Sequence, residues 1–304
     1  MLLFTLFLKK IILIQGPTAV GKTAIAVAVA QQLQTAVLSA DSRQCYKEMS
    51  IGTAKPTVQD QGGVKHYFVD AFPVVDALTV ADYERLALGY LDEIFLNHDV
   101  AVVCGGTGLY IKALCEGIDP MPQVDDAIVK DVNGGYAAHG IAWLQAAVQA
   151  EDPAFYAQGE VENPARLMRA LVFVRSTGKS ITLFQTKTIK TRPFEIIKVG
   201  LELPRDILYS RINMRVDMMM SQGLEAEVRS LYSQKALKNL QTVGYSELFS
   251  YFDGDCTLDY AVDKIKQNSR NYAKRQLTWF KRDTATTWFS AADSHVVEQI
   301  LSLL

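Results

Sequence analysis

At 304 residues, 49% of them hydrophobic and 21% charged, the chain has ordinary globular composition, with room for one large core or a core plus a smaller inserted domain. A formal net charge of -2 excludes a protein that coats polyanions by bulk charge, so any nucleic-acid contact must come from local clusters. Four scattered cysteines (Cys45, Cys104, Cys115, Cys256), none in a Cys-x-x-Cys pair, argue against a disulfide framework or a structural zinc and fit a reducing cytoplasm.

Met1 to Leu8 is apolar, but no basic segment precedes it and no small-residue cleavage site follows. Met1 to Lys10 is therefore expected to extend the first strand or to be an over-long start. No run reaches about 18 uninterrupted apolar residues, so no membrane span is expected. Ile11 to Gln15 reads as a buried parallel strand. Gly16-Pro17-Thr18-Ala19-Val20-Gly21-Lys22-Thr23 follows, then an alanine-rich helix over Ala24 to Gln34. Ala36 to Ala40 predicts a second strand, Thr79 to Asn97 a helix, and Val100 to Cys104 a third strand closed by Gly105-Gly106-Thr107-Gly108. That alternation predicts a doubly wound parallel α/β sheet flanked by helices, and the Gly16 to Thr23 loop after the first strand makes the expected fold P-loop nucleotide-kinase-like.

The alternation stops at Pro120-Met121-Pro122. Val124 to Thr186 reads as helical hairpins, and Phe194 to Leu201 resumes strand character. Asp206 to Tyr232 and Leu258 to Phe280 read as amphipathic helices. The expected organisation is an α/β core over 1–119, an inserted all-helical domain over 120–192, and completion of the core over 193–304 by one strand and C-terminal helices. Met218-Met219-Met220, Trp143 and Trp288 are read as core, and His66 as a structural or pocket histidine.

Gly16-x-x-x-x-Gly21-Lys22-Thr23 between a strand and a helix is a P-loop. Its successive N–H groups form an anion nest at a helix N-terminus, Lys22 adds a mobile charge, and Thr23 is placed for Mg²⁺ or a phosphate oxygen. The motif by itself says pyrophosphate or triphosphate. An ATPase, GTPase or kinase would usually add a metal-binding carboxylate after a neighbouring strand. The third strand ends without one, and the acid at a strand end is Asp41, which can be a metal ligand, a general base or a helix N-cap.

Together with the P-loop, Asp41-Ser42-Arg43-Gln44-x-Tyr46, Gly52-Thr53-Ala54-Lys55-Pro56 and His66-Tyr67-Phe68-Val69-Asp70 resemble the bacterial tRNA dimethylallyltransferases. Gly105 to Tyr110, Asn163-Pro164-x-Arg166-Leu167-x-Arg169-Ala170-Leu171, Gly223-Leu224-x-x-Glu227-Val228 and Tyr272 to Phe280 continue the resemblance, which covers about residues 11 to 283. The departures are Tyr67 in place of a second histidine, Lys281 where arginine is common, and a short insertion.

The resemblance implies transfer of a dimethylallyl group from dimethylallyl pyrophosphate to N6 of adenine 37 of tRNA, in the anticodon stem-loop. It suggests tRNAs with adenines at 36 to 38, reading codons that begin with U. In that reading Gly16, Pro17, Thr18, Ala19, Val20, Gly21, Lys22 and Thr23 bind the pyrophosphate. Thr23 meets Mg²⁺ through it, and Asp41 accepts the N6 proton. Arg215, in Arg211-x-x-x-Arg215, is either a second cation on the leaving group or part of a solvated helix face. Asp41, Ser42, Arg43, Gln44 and Thr107 are expected to contact tRNA, with Lys130, Ala165, Arg166, Leu167, Met168 and Arg169 doing so from the insertion. Lys274 and Arg275 join them from a segment where Lys264 to Arg282 holds seven basic residues and no acid, interleaved with Tyr272, Trp279 and Phe280. Family members from eukaryotes carry a C-terminal zinc finger. No such ligand set is found here, so the core and insertion are expected to hold tRNA, with the protein a monomer. The alternatives are a P-loop kinase of a nucleotide or small metabolite, and a tRNA-binding protein with an inactive site.

Overall fold

The structure, a computed structural model, describes residues 9–186 and 188–304, so the expected strand extension over Met1 to Leu8 lies outside the described residues. Contacts divide the chain into two compact units, one formed by residues up to 116 together with 191–304, the other by 117–190. The boundaries expected from the sequence, 119/120 and 192/193, lie two or three residues from these.

The larger unit begins with β1 (Lys10–Gln15), α1 (Lys22–Gln32), β2 (Val37–Ser39), α2 (Val58–Gln61), β3 (His66–Tyr67), α3 (Val80–Phe95), β4 (Val100–Gly105) and α4 (Gly108–Glu116). The smaller unit holds α5 (Asp126–Glu151), α6 (Pro153–Gln158) and α7 (Pro164–Thr177). The larger unit then resumes with β5 (Glu195–Glu202), α8 (Arg205–Ser221), α9 (Leu224–Ser230), α10 (Ser246–Phe252), α11 (Leu258–Phe280), β6 (Thr287–Ser290) and α12 (Val296–Leu301).

All strand pairs are parallel, in the order β3-β2-β4-β1-β5-β6. β1 therefore has β4 on one side and β5 on the other, and the crevice where ligands bind in open α/β sheets opens at its C-terminal end. β1 is apolar at successive positions because both sheet faces are covered. Ile11 and Leu13 join a core with α3, α4 and α10, while Ile12 and Ile14 join another with α1, α8 and α12.

Two edge strands were not legible. β3 is two residues long, and β6 runs through Thr287 and Ser290, which are exposed, so neither shows a continuous apolar run. The core is thus completed by two strands rather than the one expected, and Trp288 on β6 is half-buried. The helix expected over Asp206 to Tyr232 breaks after Ser221, where Gly223 takes φ 100° and starts α9. Met218 is 58% exposed, so only Met219 and Met220 pack against the core.

In the smaller unit α5 is kinked at Gly140, whose φ is 71°. α5, α6 and α7 enclose a separate core of Val132, Leu144, Val148, Leu167, Ala170 and Leu171, against which Trp143 is partly buried.

Candidate active site

The P-loop turns directly off the C-terminal end of β1 into α1. Gly21 caps α1 with φ 106°, a left-handed conformation that a side chain would strain, so that the helix opens at Lys22 with its first N–H groups toward the crevice. Lys22 Nζ donates to the Pro17 carbonyl at 2.8 Å, folding the amine back over the loop. Burial draws the Lys22 amine down to about 8, against the opposing pull of the Cys104 thiol and Asp41, and Arg215 lowers it further.

α8 and α11 close over the loop from segments far along the chain. Arg215 Nη1 donates to Thr18 Oγ1 at 3.3 Å, and Arg211, one turn earlier on the same face, donates to the Val20 carbonyl at 3.4 Å. Arg215 thus stands at the phosphate loop, not on a solvated helix face. Gln276 of α11 is buried. Its Oε1 accepts from Thr18 N–H at 2.8 Å and its Nε2 donates to the Gly106 carbonyl at 2.8 Å, tying the P-loop to the turn after β4.

β2 delivers Asp41 to the same edge. Its Oδ1 accepts from the N–H groups of Arg43 at 2.8 Å and Gln44 at 3.2 Å, so one carboxylate oxygen shapes the turn that follows. Thr107 Oγ1 accepts from Ser42 N–H at 3.0 Å and donates to Ser42 Oγ at 3.3 Å, joining the turns after β2 and β4. Gln44 Nε2 donates to the carbonyls of Thr53 and Ala54, at 3.1 and 3.2 Å. Its amide donors are therefore engaged within the protein, which leaves its carbonyl oxygen as the group able to meet a base edge.

Two adjoining cavities occupy this crevice. One, of about 440 Å³, is lined by the P-loop residues Gly21, Lys22 and Thr23 together with Asp41, Arg211 and Arg215. The other, of about 310 Å³, has an apolar wall of Ile212, Val216, Met219, Val243 and Ile265. Thr18, Ala19, Asp41, Thr53, Arg215 and Tyr272 line both. Asp60 also borders the polar cavity, but its Oδ2 accepts from Thr57 N–H and Oγ1 in a capping box, and these bonds lower its pKa. The Tyr272 hydroxyl is pushed up to about 12 by burial and by Asp41, and so serves as a hydrogen-bond donor at neutral pH.

The apolar wall was missed in the sequence because it is assembled from one face each of α8 and α11 and from the Thr242–Gly244 turn. Gln276 falls inside the Tyr272 to Phe280 motif, but nothing local in that stretch marks it as the residue that turns toward the P-loop. The Arg211-x-x-x-Arg215 spacing places Arg211 on the same helix face as Arg215, but the sequence assigns it no role of its own.

On α11, Lys274 and Arg275 are exposed, and the Arg275 guanidinium lies 5.8 Å from the centre of the Tyr272 ring. The basic stretch is less free than its sequence suggests: Lys266 pairs with Asp217 at 2.6 Å, Lys281 with Glu202 at 2.8 Å, and Arg270 donates to Asn213 at 2.6 Å. Phe280 is buried and Leu277 partly so, whereas Tyr272 and Trp279 keep 37% and 39% of their surface exposed. In the smaller unit Lys130, Ala165, Arg166 and Arg169 are exposed, with Arg166 paired to Glu160 at 2.8 Å. Leu167 is fully buried in that unit's core and Met168 packs against it, which removes Leu167 as an RNA contact. The reason is helical periodicity: Leu167, Ala170 and Leu171 form the inward face of α7, so a contiguous five-residue window necessarily includes it.

Among the described residues no helix is long and apolar enough to cross a membrane. The family model of IPP transferases matches residues 44–283. The tRNA dimethylallyltransferase of Cytophaga hutchinsonii is 46% identical over 281 residues, covering 92% of both chains. The tRNA dimethylallyltransferase 1 of Bacteroides fragilis is 43% identical over 296 residues, covering 97% of both. Among solved structures, the tRNA isopentenylpyrophosphate transferase of Bacillus halodurans superposes with a TM-score of 0.71 at 35% identity, over 97% of this chain and 94% of that one.

Proposed function

This chain belongs to the IPP transferase family, and on that premise we propose that it transfers a dimethylallyl group from dimethylallyl pyrophosphate to N6 of adenine 37 in tRNA. The observation that carries the reading is the junction of the two cavities. A diphosphate with a short apolar tail needs a phosphate nest continuous with an apolar pocket, and Asp41 lines both spaces.

In the reaction N6 attacks C1 of the donor, the C1–O bond breaks, and pyrophosphate leaves with the bonding pair while N6 loses a proton. Lys22, Arg215 and the P-loop N–H groups meet the charge that develops on the leaving group. Asp41 is the proton acceptor, and its position is held by the bonds from Arg43 and Gln44. The adenine reaches the site by leaving its stack, with Tyr272 and Thr107 beside its path.

Thr23 and Asp41 both line the polar cavity, and a hydroxyl and a carboxylate are oxygen donors that suit Mg²⁺, which keeps waters and takes phosphate oxygens. Thr23 would hold the ion together with the pyrophosphate, where it neutralises leaving-group charge when bound. Arg166, Arg169, Lys130, Lys274 and Arg275 are exposed cations suited to the tRNA backbone.

The test is incubation with Mg²⁺, bulk tRNA and labelled dimethylallyl pyrophosphate, followed by nucleoside analysis, beside Asp41→Ala. Prenylated adenosine that falls by about 10²-fold or more in the variant supports activity and base together. Prenylation that survives the substitution removes Asp41 as base. ATP turnover without prenylation replaces the reading with a kinase.

A further inference from the structure

Glu227, on the short helix α9, makes an unusual set of bonds for a half-buried carboxylate. Oε2 accepts from the N–H groups of Ser50 at 3.0 Å and Ile51 at 2.7 Å. Oε1 accepts from Gly52 N–H at 2.9 Å and from the Tyr245 hydroxyl at 2.6 Å. Burial, then the neighbouring Glu227 charge, push the Tyr245 hydroxyl up, so it is a permanent donor. The Tyr245 ring also lies against Gly52, where a Cβ would sit 2.5 Å from Cε2, a contact that only glycine permits.

Three segments distant in sequence thus meet at one carboxylate: the Ser50–Gly52 turn, α9, and the residue that follows the Thr242–Gly244 wall. The consequence reaches the reacting groups in two steps. The turn continues into Thr53, which lines both cavities, and the carbonyls of Thr53 and Ala54 accept the side chain of Gln44. Gln44 in turn closes the Asp41 turn through its own N–H. The far end of the same loop is tied by Lys55, whose Nζ donates to the Tyr46 carbonyl at 2.7 Å and the Lys47 carbonyl at 3.1 Å and meets the Asp70 carboxylate.

We propose that Glu227 is a positioning residue for the transfer site: by clamping the Ser50–Gly52 turn it sets Thr53 and Gln44, and through them the Asp41 carboxylate, without touching substrate. The proposal rests on the function given above. The turn's other hydrogen bonds come from its own loop, with Ala54 N–H donating to the Ile51 carbonyl at 2.9 Å and Lys55 N–H to the Ser50 carbonyl at 3.0 Å, whereas Glu227 ties three successive N–H groups to a distant part of the chain.

The test uses the full chain carrying Glu227→Gln, which keeps the volume but sets an amide NH₂ among hydrogen-bond donors, with Gln44→Ala, the double variant, and Tyr245→Phe, which removes one bond of the four. Hydrogen exchange of the peptide spanning Met49 to Lys55 reads the clamp independently of activity. Faster exchange is expected in Glu227→Gln. For prenyl transfer, kcat is expected to fall by about 10- to 100-fold in Glu227→Gln, as misplacement by an ångström can cause. The Kd for pyrophosphate, held mainly by the P-loop, should change by less than about threefold. The Gln44→Ala background should absorb most of the Glu227→Gln loss, because both act along one chain of contacts. Tyr245→Phe, the milder variant, should show the same split at smaller size.

Unchanged kcat despite faster exchange overturns the proposal. So do losses that multiply in the double variant, or a fall in pyrophosphate affinity equal to the fall in kcat, since either indicates general loosening. A wild type that shows no prenyl transfer overturns the functional reading itself, an outcome visible before any variant is compared.

Discussion

Gln276 Oε1 accepts the backbone N–H of Thr18 at 2.8 Å across 258 residues of sequence, so the last long helix of the chain is fastened to its first loop. The other end of the same amide donates to the Gly106 carbonyl, and both bonds are made by a side chain only 6% exposed. Such an amide is oriented by its two partners, because a flip would set donor against donor and acceptor against acceptor. Gln276→Glu keeps the bond to Thr18 but faces the Gly106 carbonyl with an acceptor. It should destabilise the fold by about 1–3 kcal/mol and weaken pyrophosphate binding by about tenfold or more. Thermal melting and pyrophosphate titration check both.

On the proposed function, Lys22 should carry the pH dependence of donor binding. Its amine is drawn to about 8 in the free site, so it is charged below that pH and neutral above it. A bound pyrophosphate restores the charge. Affinity should therefore fall as pH rises through about 8, with proton uptake on binding above that pH, and Lys22→Met should remove that component. Titration calorimetry in buffers of different ionisation enthalpy reads the proton.

The same group has a signed effect on stability. Its folded pKa lies below its ordinary 10.5, so between about 8 and 10.5 the unfolded chain binds more protons and stability rises with pH. Denaturation of wild type and Lys22→Met across that window should show the rise in the wild type and a smaller one in the variant.

Arg215 and Arg211 share a helix face but differ in depth: Arg215 is partly buried against Thr18, while Arg211 is exposed. Arg215→Ala should lower kcat by about 10²-fold or more as a leaving-group contact, whereas Arg211→Ala should cost less than about tenfold. Arg215→Lys should recover only part of the loss, because a lysine lacks the fork that reaches Thr18 and phosphate together.

Neighbouring residues of α7 should separate cleanly. Leu167→Ala opens a cavity in the smaller unit's core and should cost about 2–5 kcal/mol. Arg169→Ala should leave stability within about 0.5 kcal/mol, while weakening tRNA binding and reducing the slope of log K against log salt by about one. Denaturant unfolding and tRNA titrations at several salt concentrations distinguish the two.

Much of this architecture is legible in one dimension. The continuous apolar run Ile11–Gln15, the glycine-lysine loop after it and the helix that opens at Lys22 follow from local rules, because a buried parallel strand and an anion nest each impose their pattern on consecutive residues. The break into a helical unit is equally local. β3 and β6 were illegible because an edge strand takes its identity from the neighbour it pairs with, and His66–Tyr67 and Thr287–Ser290 carry no pattern of their own.

The site divides the same way. Sequence alone showed a strand–loop–helix pattern suited to a phosphate group, an aspartate, Asp41, at a neighbouring strand end, and which family the motifs resemble. Only the tertiary structure decided that Arg215 turns toward Thr18, that Gln276 locks the P-loop, that Leu167 points inward, and that an apolar cavity adjoins the polar one. Each of these depends on which side of a helix meets a segment far away in the chain. The spacing of residues on a helix states which of them share a face, but packing alone decides what that face meets.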